Sequence, residues 1–228
     1  MLNQEPSRAP QSEETPMLPA APLKAHEYAA TRDWPRYFKA VEGKGARDTL
    51  LKALELFERE NLPKDRKFAI DLGCGSGRDT FELLKRGWRV LATDSSQLGL
   101  DLLGSLASSE QRARLQTRFS RFEDLTLSPA TLVNASYSLP FCDPTAFPRV
   151  WNAVVSAIPV GGRFAGQLFG MLHTWSRLPD RSHQSLETIN QMFSNFDIEH
   201  FEEETGPSQD TSGADIFRHV YHVVATKR

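Results

Sequence analysis

The chain has 228 residues with a formal net charge of -2, and 39% of its residues are hydrophobic. This length and composition suffice for one well-buried domain, and the balanced charge, without a run of Lys and Arg, predicts neither a nucleic-acid nor a membrane partner. Cys74 and Cys142 lie far apart, which predicts a reducing, cytoplasmic setting without a disulfide framework. We find no signal peptide and no apolar stretch of about 18 residues, the length that a membrane span requires.

The first 26 residues differ in composition from the rest of the chain. They contain five prolines and no aromatic residue. A segment of this kind buries too little apolar surface to offset the entropy of ordering it. We therefore predict a disordered tail over 1–26 and one folded domain over 27–228, which begins at an aromatic cluster near Tyr28 to Phe38.

Hydrophobic periodicity predicts alternating strands and helices over the remainder. The predicted helices cover about 46–60, 79–86, 97–108, 146–157 and 185–194. The predicted strands cover about 67–72, 88–93, 114–119, 131–136, 162–168, 196–204 and 217–226. This alternation predicts a Rossmann-like α/β fold, with a mostly parallel seven-stranded sheet and helices on both faces. No helical pattern separates the last two strands, and Gly206, Pro207 and Gly213 fall in the predicted connection, so we expect a C-terminal antiparallel hairpin.

The most informative motif is the turn after the first strand, where Asp-x-Gly-x-Gly-x-Gly runs from Asp71 to Gly77. Glycines let a ligand approach the backbone, and the N-terminus of the next helix favours negative charge. The spacing differs from the Gly-x-Gly-x-x-Gly of dinucleotide-binding enzymes. It resembles motif I of the class I S-adenosylmethionine-dependent methyltransferases. The resemblance implies that Asp71 orients the amino end of this cofactor, that Gly73 and Gly75 make room for its methionine and ribose portions, and that Gly77 completes the binding turn.

Acids also follow the second and third strands. Asp94, with Ser95 beside it, comes 23 residues after Asp71, where a carboxylate can accept hydrogen bonds from both ribose hydroxyls. The alternative is that this segment only caps the next helix. In the loop after the third strand, the resemblance implies an acid that accepts from the adenine amino group and an apolar neighbour that packs on the ring. Glu123 with Phe122 fits these roles, and Asp124 is the alternative acid.

The segment 134–141 follows the fourth strand, where the family builds the floor of the methyl-transfer site. It lacks the Asp/Asn-Pro-Pro-Tyr signature of methyltransferases that act on nucleic-acid and protein amide nitrogens. We predict that Asn134 contacts the cofactor and that Tyr137 is a catalytic residue of the acceptor pocket. Phe141 is either a wall of that pocket or a core residue.

The flanks suggest a narrower resemblance, to small single-domain methyltransferases similar to the tellurite-resistance and thiopurine enzymes. It depends on the aromatic residues around Trp34 to Phe38, on Gly-Arg-Asp-Thr at 77–80 and on the segment 161–170. It implies an N-terminal helix that closes over the cofactor, with Tyr37 and Arg47 as further contacts. The alternative for Arg47 is a surface salt bridge.

Histidines provide the remaining candidates for chemistry. His173 is the candidate general base, because imidazole titrates near neutral pH, although a base is needed only when the acceptor must lose a proton. The alternative is a structural or exposed loop histidine. His219 and His222 are three residues apart in a predicted strand and so point to opposite faces, which prevents them from binding one ion together. We predict no metal site.

Taken together, these features predict a monomeric S-adenosylmethionine-dependent methyltransferase that transfers a methyl group to a small-molecule acceptor by in-line displacement. One alternative is a nicotinamide-dependent oxidoreductase on a similar sheet. A second is a module that binds S-adenosylmethionine without catalysis, and a third, ranked low, is a methyltransferase with a macromolecular substrate.

Overall fold

The computed structural model describes residues 32–209 and 215–228. The predicted tail over 1–26, together with Tyr28 and Gly213, lies outside these ranges. The helices are α1 (Trp34–Val41), α2 (Asp48–Arg59), α3 (Arg78–Lys85), α4 (Gln97–Leu106), α5 (Ser109–Arg112), α6 (Phe147–Ala157) and α7 (Leu186–Met192). The strands are β1 (Phe68–Leu72), β2 (Arg89–Asp94), β3 (Leu115–Phe119), β4 (Leu132–Ala135), β5 (Arg163–Gly170), β6 (His183–Gln184), β7 (Phe196–Gln209) and β8 (Asp215–Lys227).

The strands form one sheet in the order β3-β2-β1-β4-β5-β8-β7, and the two-residue β6 pairs with the end of β5. β1 to β6 pair with one another in parallel, whereas β8 runs antiparallel to both β5 and β7. The predicted fold class is therefore confirmed, including the C-terminal hairpin. The described residues add one short strand, β6, which is too brief to leave a periodic signal in the sequence.

Two apolar layers cover the two faces of the sheet. On one face, residues of α2 and α3 such as Leu54, Phe57 and Leu84 pack around Trp88. On the other, Trp151 of α6 packs against Phe164 of β5, with ring centroids 5.2 Å apart. Burial of such large side chains contributes about 1.5–3 kcal/mol each, so the two layers fix the sheet and thereby the positions of the strand ends.

The hairpin is longer than the sequence predicts. Gly206 and Pro207 lie inside β7, opposite Arg218 and Phe217, so their predicted place in the connection is wrong. β7 is the edge strand of the sheet, and an edge strand tolerates a proline because one of its sides needs no donor. As a result, β7 and β8 extend beyond the end of β5, whose pairing with β8 stops at Phe169 and Val220.

Within residues 32–209 and 215–228, every helix falls short of the length and apolarity that crossing a membrane would require. Cys74 and Cys142 are both buried and free.

Candidate active site

A cavity of about 690 Å³ opens at the carboxyl edge of the parallel strands. This volume is in the range typical of small-molecule sites. Its walls come from the glycine turn, the end of β2, the loop after β3, the segment after β4, α1 and the extended hairpin. Parallel strands bring their carboxyl ends to one edge, so residues far apart in sequence meet here.

The glycine turn between β1 and α3 has a backbone that favours glycine. Gly73 and Gly75 line the cavity with φ of +65° and +55°. A Cβ on Gly73 would lie 2.4 Å from Cβ of Ser138, and one on Gly75 would lie 2.9 Å from the ring of Phe38. These glycines are therefore required by the packing of the protein itself, in addition to any room that they leave for a ligand. Because Phe38 belongs to α1, this helix packs directly against the glycine turn.

Asp71 is buried at the end of β1 and lines the cavity. Thr80 Oγ1 donates to its Oδ2 at 2.6 Å, and Asn134 Nδ2 donates to its Oδ1 at 2.9 Å. The same Asn134 nitrogen donates to Oδ2 of Asp79 at 3.0 Å, so one amide joins two buried carboxyl groups. Burial and the nearby charge of Asp79 raise the pKa of Asp71 from 3.8 to about 7.

Two predicted cofactor contacts, Gly77 and Asn134, are not among the residues that line the cavity. Gly77 has φ of +97° at the start of α3, and a Cβ there would meet Leu103 and Phe81. Asn134 is fully buried and uses its amide to hold the two carboxyl groups. The expectation of direct contact is corrected accordingly: Gly77 permits a close helix approach, and Asn134 positions Asp71.

Asp94 lies at the end of β2, half-buried in the cavity wall. Its Oδ2 accepts from the backbone N–H of Gly75 at 2.7 Å, and its Oδ1 accepts from that of Ser96 at 2.7 Å. Burial raises its pKa above the usual value, whereas these two hydrogen bonds lower it. The cap of α4 is Ser96, whose Oγ accepts from the N–H of Gly99, so the capping role does not fall on Asp94. Ser95 also lines the cavity.

The loop after β3 forms the opposite wall. Phe122 and Glu123 both line the cavity, whereas the alternative acid, Asp124, does not. The ring of Phe122 packs against the apolar core, and the Glu123 carboxylate lies 3.4 Å from the guanidinium of Arg121.

The other half of the cavity is aromatic. Trp34 lies edge-on to Phe141 with centroids 5.0 Å apart, and Phe141 lies 6.1 Å from Trp175, which contacts Phe169 at 5.6 Å. All four rings line the cavity. Phe141 is thus a wall of the pocket rather than a core residue, whereas Asp71 and Asp94 line the cavity at the strand ends near the glycine turn. We call this group of four rings the aromatic chamber.

Tyr137 lies between the two halves and is held by its backbone. Its φ is +52°, a conformation that is rare for a residue with a bulky side chain. Its N–H donates to Gln167 Oε1 at 3.1 Å, and Gln167 donates to Thr49 Oγ1 at 2.9 Å. The guanidinium of Arg47 lies over the Tyr137 ring, 4.4 Å from its centroid. Burial raises the pKa of Tyr137, so the phenol keeps its proton near neutral pH.

Tyr37 and Arg47 both line the cavity, as the narrower resemblance implies. Among the described residues Arg47 makes no ion pair. Its backbone N–H instead donates to Oδ1 of Asp79 at 2.9 Å.

His173 is buried at the edge of the aromatic chamber and stacks on Phe169, with centroids 4.3 Å apart. Its Nδ1 accepts from the backbone N–H of Trp175 at 3.1 Å and thereby caps a short 3-10 turn. Burial lowers its pKa to about 4. The ring is therefore neutral near pH 7, with one nitrogen occupied by the amide and the proton on the other. This geometry does not fit the predicted general base and supports the structural alternative.

The hairpin histidines bind glutamates. His219 Nε2 lies 2.9 Å from Glu203, and His222 Nε2 lies 3.2 Å from Glu204. In the part of the chain that the structure describes, no group of three His, Cys, Asp or Glu residues is arranged to hold a metal ion.

Sequence reasoning missed several residues of the cavity. Asp79 could have been predicted as a cavity residue, because it is an acid in the first turn of the helix that follows the glycine motif. Ile216 and Arg218 of β8 line the cavity because the hairpin extends past β5, and Val220 lines it at the last pair with β5. Nothing in their alternating pattern indicates this.

Comparison with known proteins agrees with this arrangement. Residues 69–162 match the family model of a methyltransferase domain. A segment of 41 residues is 46% identical to the cypemycin N-terminal methyltransferase of a Streptomyces species, and it spans 18% of this chain and 17% of that protein.

The fold resembles that of TehB from Haemophilus influenzae, with a TM-score of 0.67 and 16% identity over 86% of this chain and 67% of that one. It also resembles the glycopeptide N-methyltransferase MtfA in complex with S-adenosylmethionine, with a TM-score of 0.54 and 18% identity over 80% of this chain and 95% of that one. At these identities the likeness is one of fold.

The sheet order is that of a Rossmann-like fold, and the glycine turn and the acids at the strand ends line one cavity at its carboxyl edge. Residues 69–162 match a methyltransferase domain, and the fold is similar to that of S-adenosylmethionine-dependent methyltransferases.

Proposed function

We propose that the protein transfers a methyl group from S-adenosylmethionine to a small-molecule acceptor by in-line displacement. One observation carries the proposal: a single cavity joins carboxylates at the strand ends to an aromatic chamber. The first half suits a polar nucleoside with an amino-acid tail, and the second suits a compact acceptor.

The chemistry of the donor groups fits the cofactor. Asp71 would hold the cofactor's amino group, Asp94 the two ribose hydroxyls, and Phe122 with Glu123 the adenine. When bound, S-adenosylmethionine supplies an electrophilic methyl group on a sulfonium sulfur. The chain's own part is to bind the reactants, to align them and to exclude water, which can supply most of the acceleration of such a displacement.

The aromatic chamber supports an acceptor that is already nucleophilic. His173 is neutral with its Nδ1 occupied, and Tyr137 keeps its proton, so neither is suited to remove a proton near neutral pH. We therefore propose an acceptor that ionises or carries a lone pair without help from the protein. Thiols, amines, carboxylates, halides and metalloid oxyanions are the classes to test.

We further propose a monomer in the cytoplasm without nucleic-acid partners. The two buried free cysteines and the net charge of -2 support this setting. The narrower similarity to the tellurite-resistance and thiopurine enzymes belongs to the same proposal.

Calorimetric titration with S-adenosylmethionine and with NAD tests the cofactor, and incubation with methyl-labelled S-adenosylmethionine and the acceptor panel tests the reaction. We expect binding of S-adenosylmethionine alone and label transfer to at least one small acceptor. Binding of NAD without S-adenosylmethionine would favour an oxidoreductase. Tight binding of S-adenosylmethionine without transfer would favour a non-catalytic module, and a strongly salt-dependent association with RNA or DNA would favour a macromolecular substrate.

A further inference from the structure

Asp71 and Asp79 form a pair of carboxyl groups in the cavity wall, which we call the carboxyl pair. Asp71 is 2% exposed and Asp79 is 4% exposed, and both residues line the cavity. Asn134 Nδ2 joins them, at 2.9 Å from one and 3.0 Å from the other. The remaining protein contacts are neutral donors: the hydroxyl of Thr80 and the backbone N–H of Arg47.

No positive side chain of the described residues forms an ion pair with the carboxyl pair, and the attraction between Asp79 and Arg78 acts without such a contact. Within residues 32–209 and 215–228, neither of its acids forms an ion pair. The nearby guanidinium groups are directed elsewhere, that of Arg47 to the Tyr137 ring and that of Arg78 to the carbonyl of Gly45. Asp94 adds a further negative charge from the end of β2, and the buried Cys74 thiol is neutral because its pKa is raised.

Two buried carboxylates that accept from the same amide nitrogen are not both ionised without a counter-charge, because burial and mutual repulsion penalise the second negative charge. The described structure provides two ways to relieve this. Either the pair retains one proton, or a cationic ligand enters the cavity and lies beside it.

We propose that the carboxyl pair holds one proton in the cofactor-free protein and releases it when the ammonium group of S-adenosylmethionine binds, with Asp79 as a second anchoring carboxylate beside Asp71. The inference rests on the proposed function, because it assigns the amino end of that cofactor to this wall. The exchange balances: one carboxyl O–H bond breaks, the proton passes to the buffer, and the ammonium group keeps its own protons and supplies the positive charge.

The midpoint of the titration makes the exchange measurable near neutral pH. Because the pKa of Asp71 is raised to about 7, we expect release of close to one proton per cofactor at pH 6 and roughly half a proton at pH 7. Free α-amino groups titrate at about 7.7–8.0, so the ammonium group itself stays protonated at pH 6.

The test is calorimetry of cofactor binding at pH 6 in buffers with different ionisation enthalpies, which counts the protons released. S-adenosylhomocysteine, which has the ammonium group but no sulfonium, should release the same number as S-adenosylmethionine. Methylthioadenosine, which lacks the amino-acid portion, should release none. Infrared difference spectra should show a protonated-carboxyl band at pH 6 that disappears when S-adenosylhomocysteine binds.

Asp79→Asn removes the repulsion within the pair but leaves Asp71 buried, so proton release at pH 6 should fall without vanishing, and cofactor affinity should fall with it. Asp101→Asn makes the same change of charge at an exposed position of α4 and should leave the proton count unchanged. The infrared measurement on the unmodified protein decides the matter if the Asp79 variant does not fold.

Binding of S-adenosylmethionine and S-adenosylhomocysteine without proton release would overturn the inference and leave the proposed function intact. Proton release that is unchanged in Asp79→Asn would do the same. Failure of the unmodified protein to bind S-adenosylmethionine would instead overturn the proposed function and this inference with it.

Discussion

Substitution of Asp94 can distinguish a role in cofactor binding from a role in ordering the turn. Its two carboxylate oxygens each accept one backbone N–H at 2.7 Å, from Gly75 and Ser96. A hydrogen bond to a charged acceptor contributes about 1.5–3 kcal/mol. Burial already raises the pKa of this carboxyl group, so the lower end applies and we expect Asp94→Ala to reduce the free energy of unfolding by about 3 kcal/mol.

The effect on the cofactor comes in addition. If two ribose hydroxyls donate to the same carboxylate, Asp94→Ala should also lose about 3 kcal/mol of binding free energy, at the lower end of the range. This loss corresponds to a roughly 100-fold larger dissociation constant. Denaturant titration of the cofactor-free protein measures the first quantity, and calorimetry with S-adenosylhomocysteine measures the second.

Two further measurements separate a loss of ribose binding from a disordered turn. Ser96→Ala deletes the helix cap but keeps Asp94, so we expect a stability loss of about 1 kcal/mol and a dissociation constant within about threefold of the parent. The parent should also discriminate against a 2′-deoxyribose analogue of the cofactor, and Asp94→Ala should not. If Asp94→Ala destabilises the fold but binds the cofactor within threefold of the parent, the carboxylate only orders the turn and the ribose assignment is wrong.

Three further outcomes follow from contacts at the site. Gln167→Leu leaves the N–H of Tyr137 without an acceptor, and urea titration should show a loss of about 2 kcal/mol, larger than that of Thr49→Val, which keeps this acceptor; equal losses would contradict the role of Gln167. The folded pKa of His173, about 4, lies below its ordinary 6.5, so the neutral ring's contribution to stability is complete above pH 6.5 and is lost as the pH falls towards 4. His173→Asn should therefore flatten the decline of Tm over that range, and an unchanged slope would refute the assignment. Burial raises the pKa of the Cys74 thiol, so mass spectrometry should find it unmodified by iodoacetamide at pH 8 in the folded protein and modified after unfolding; rapid modification of the folded protein would count against this.

The fold could be predicted from sequence because the central strands β1 and β2 are short apolar runs that end at an acid or at a glycine turn. Ile70 and Leu72 are fully buried and are followed at once by the glycine turn, so both the strand and its end are encoded locally. The same local signal placed Asp94 at a strand end. Position at the carboxyl edge of the sheet can thus be inferred from the amino-acid sequence alone.

Contacts across the sheet could not be predicted in this way. Asn134 has the sequence position of a floor residue, but its side chain lies behind Asp71 because β4 pairs with β1 and places the two side by side. His173 has the sequence features of a base, and only the tertiary contact with Phe169 shows that its ring is desolvated and neutral. Such properties depend on neighbours that are distant in the chain.

The overhang of β7 and β8 beyond β5 divides the protein into parts that can change independently. The glycine turn and the acids belong to β1, β2 and the segments that follow the first four strands, whereas Ile216 and Arg218 reach the cavity from the overhang. Beyond Val220 the two strands pair with each other, and their further hydrogen bonds go to Leu172 and Thr174 in the segment after β5. They can therefore be exchanged without disturbing the strands that carry the glycine turn and the acids. A chimera that receives this hairpin end from a relative should keep its donor and acquire a different acceptor, which makes the overhang the natural place to re-engineer selectivity.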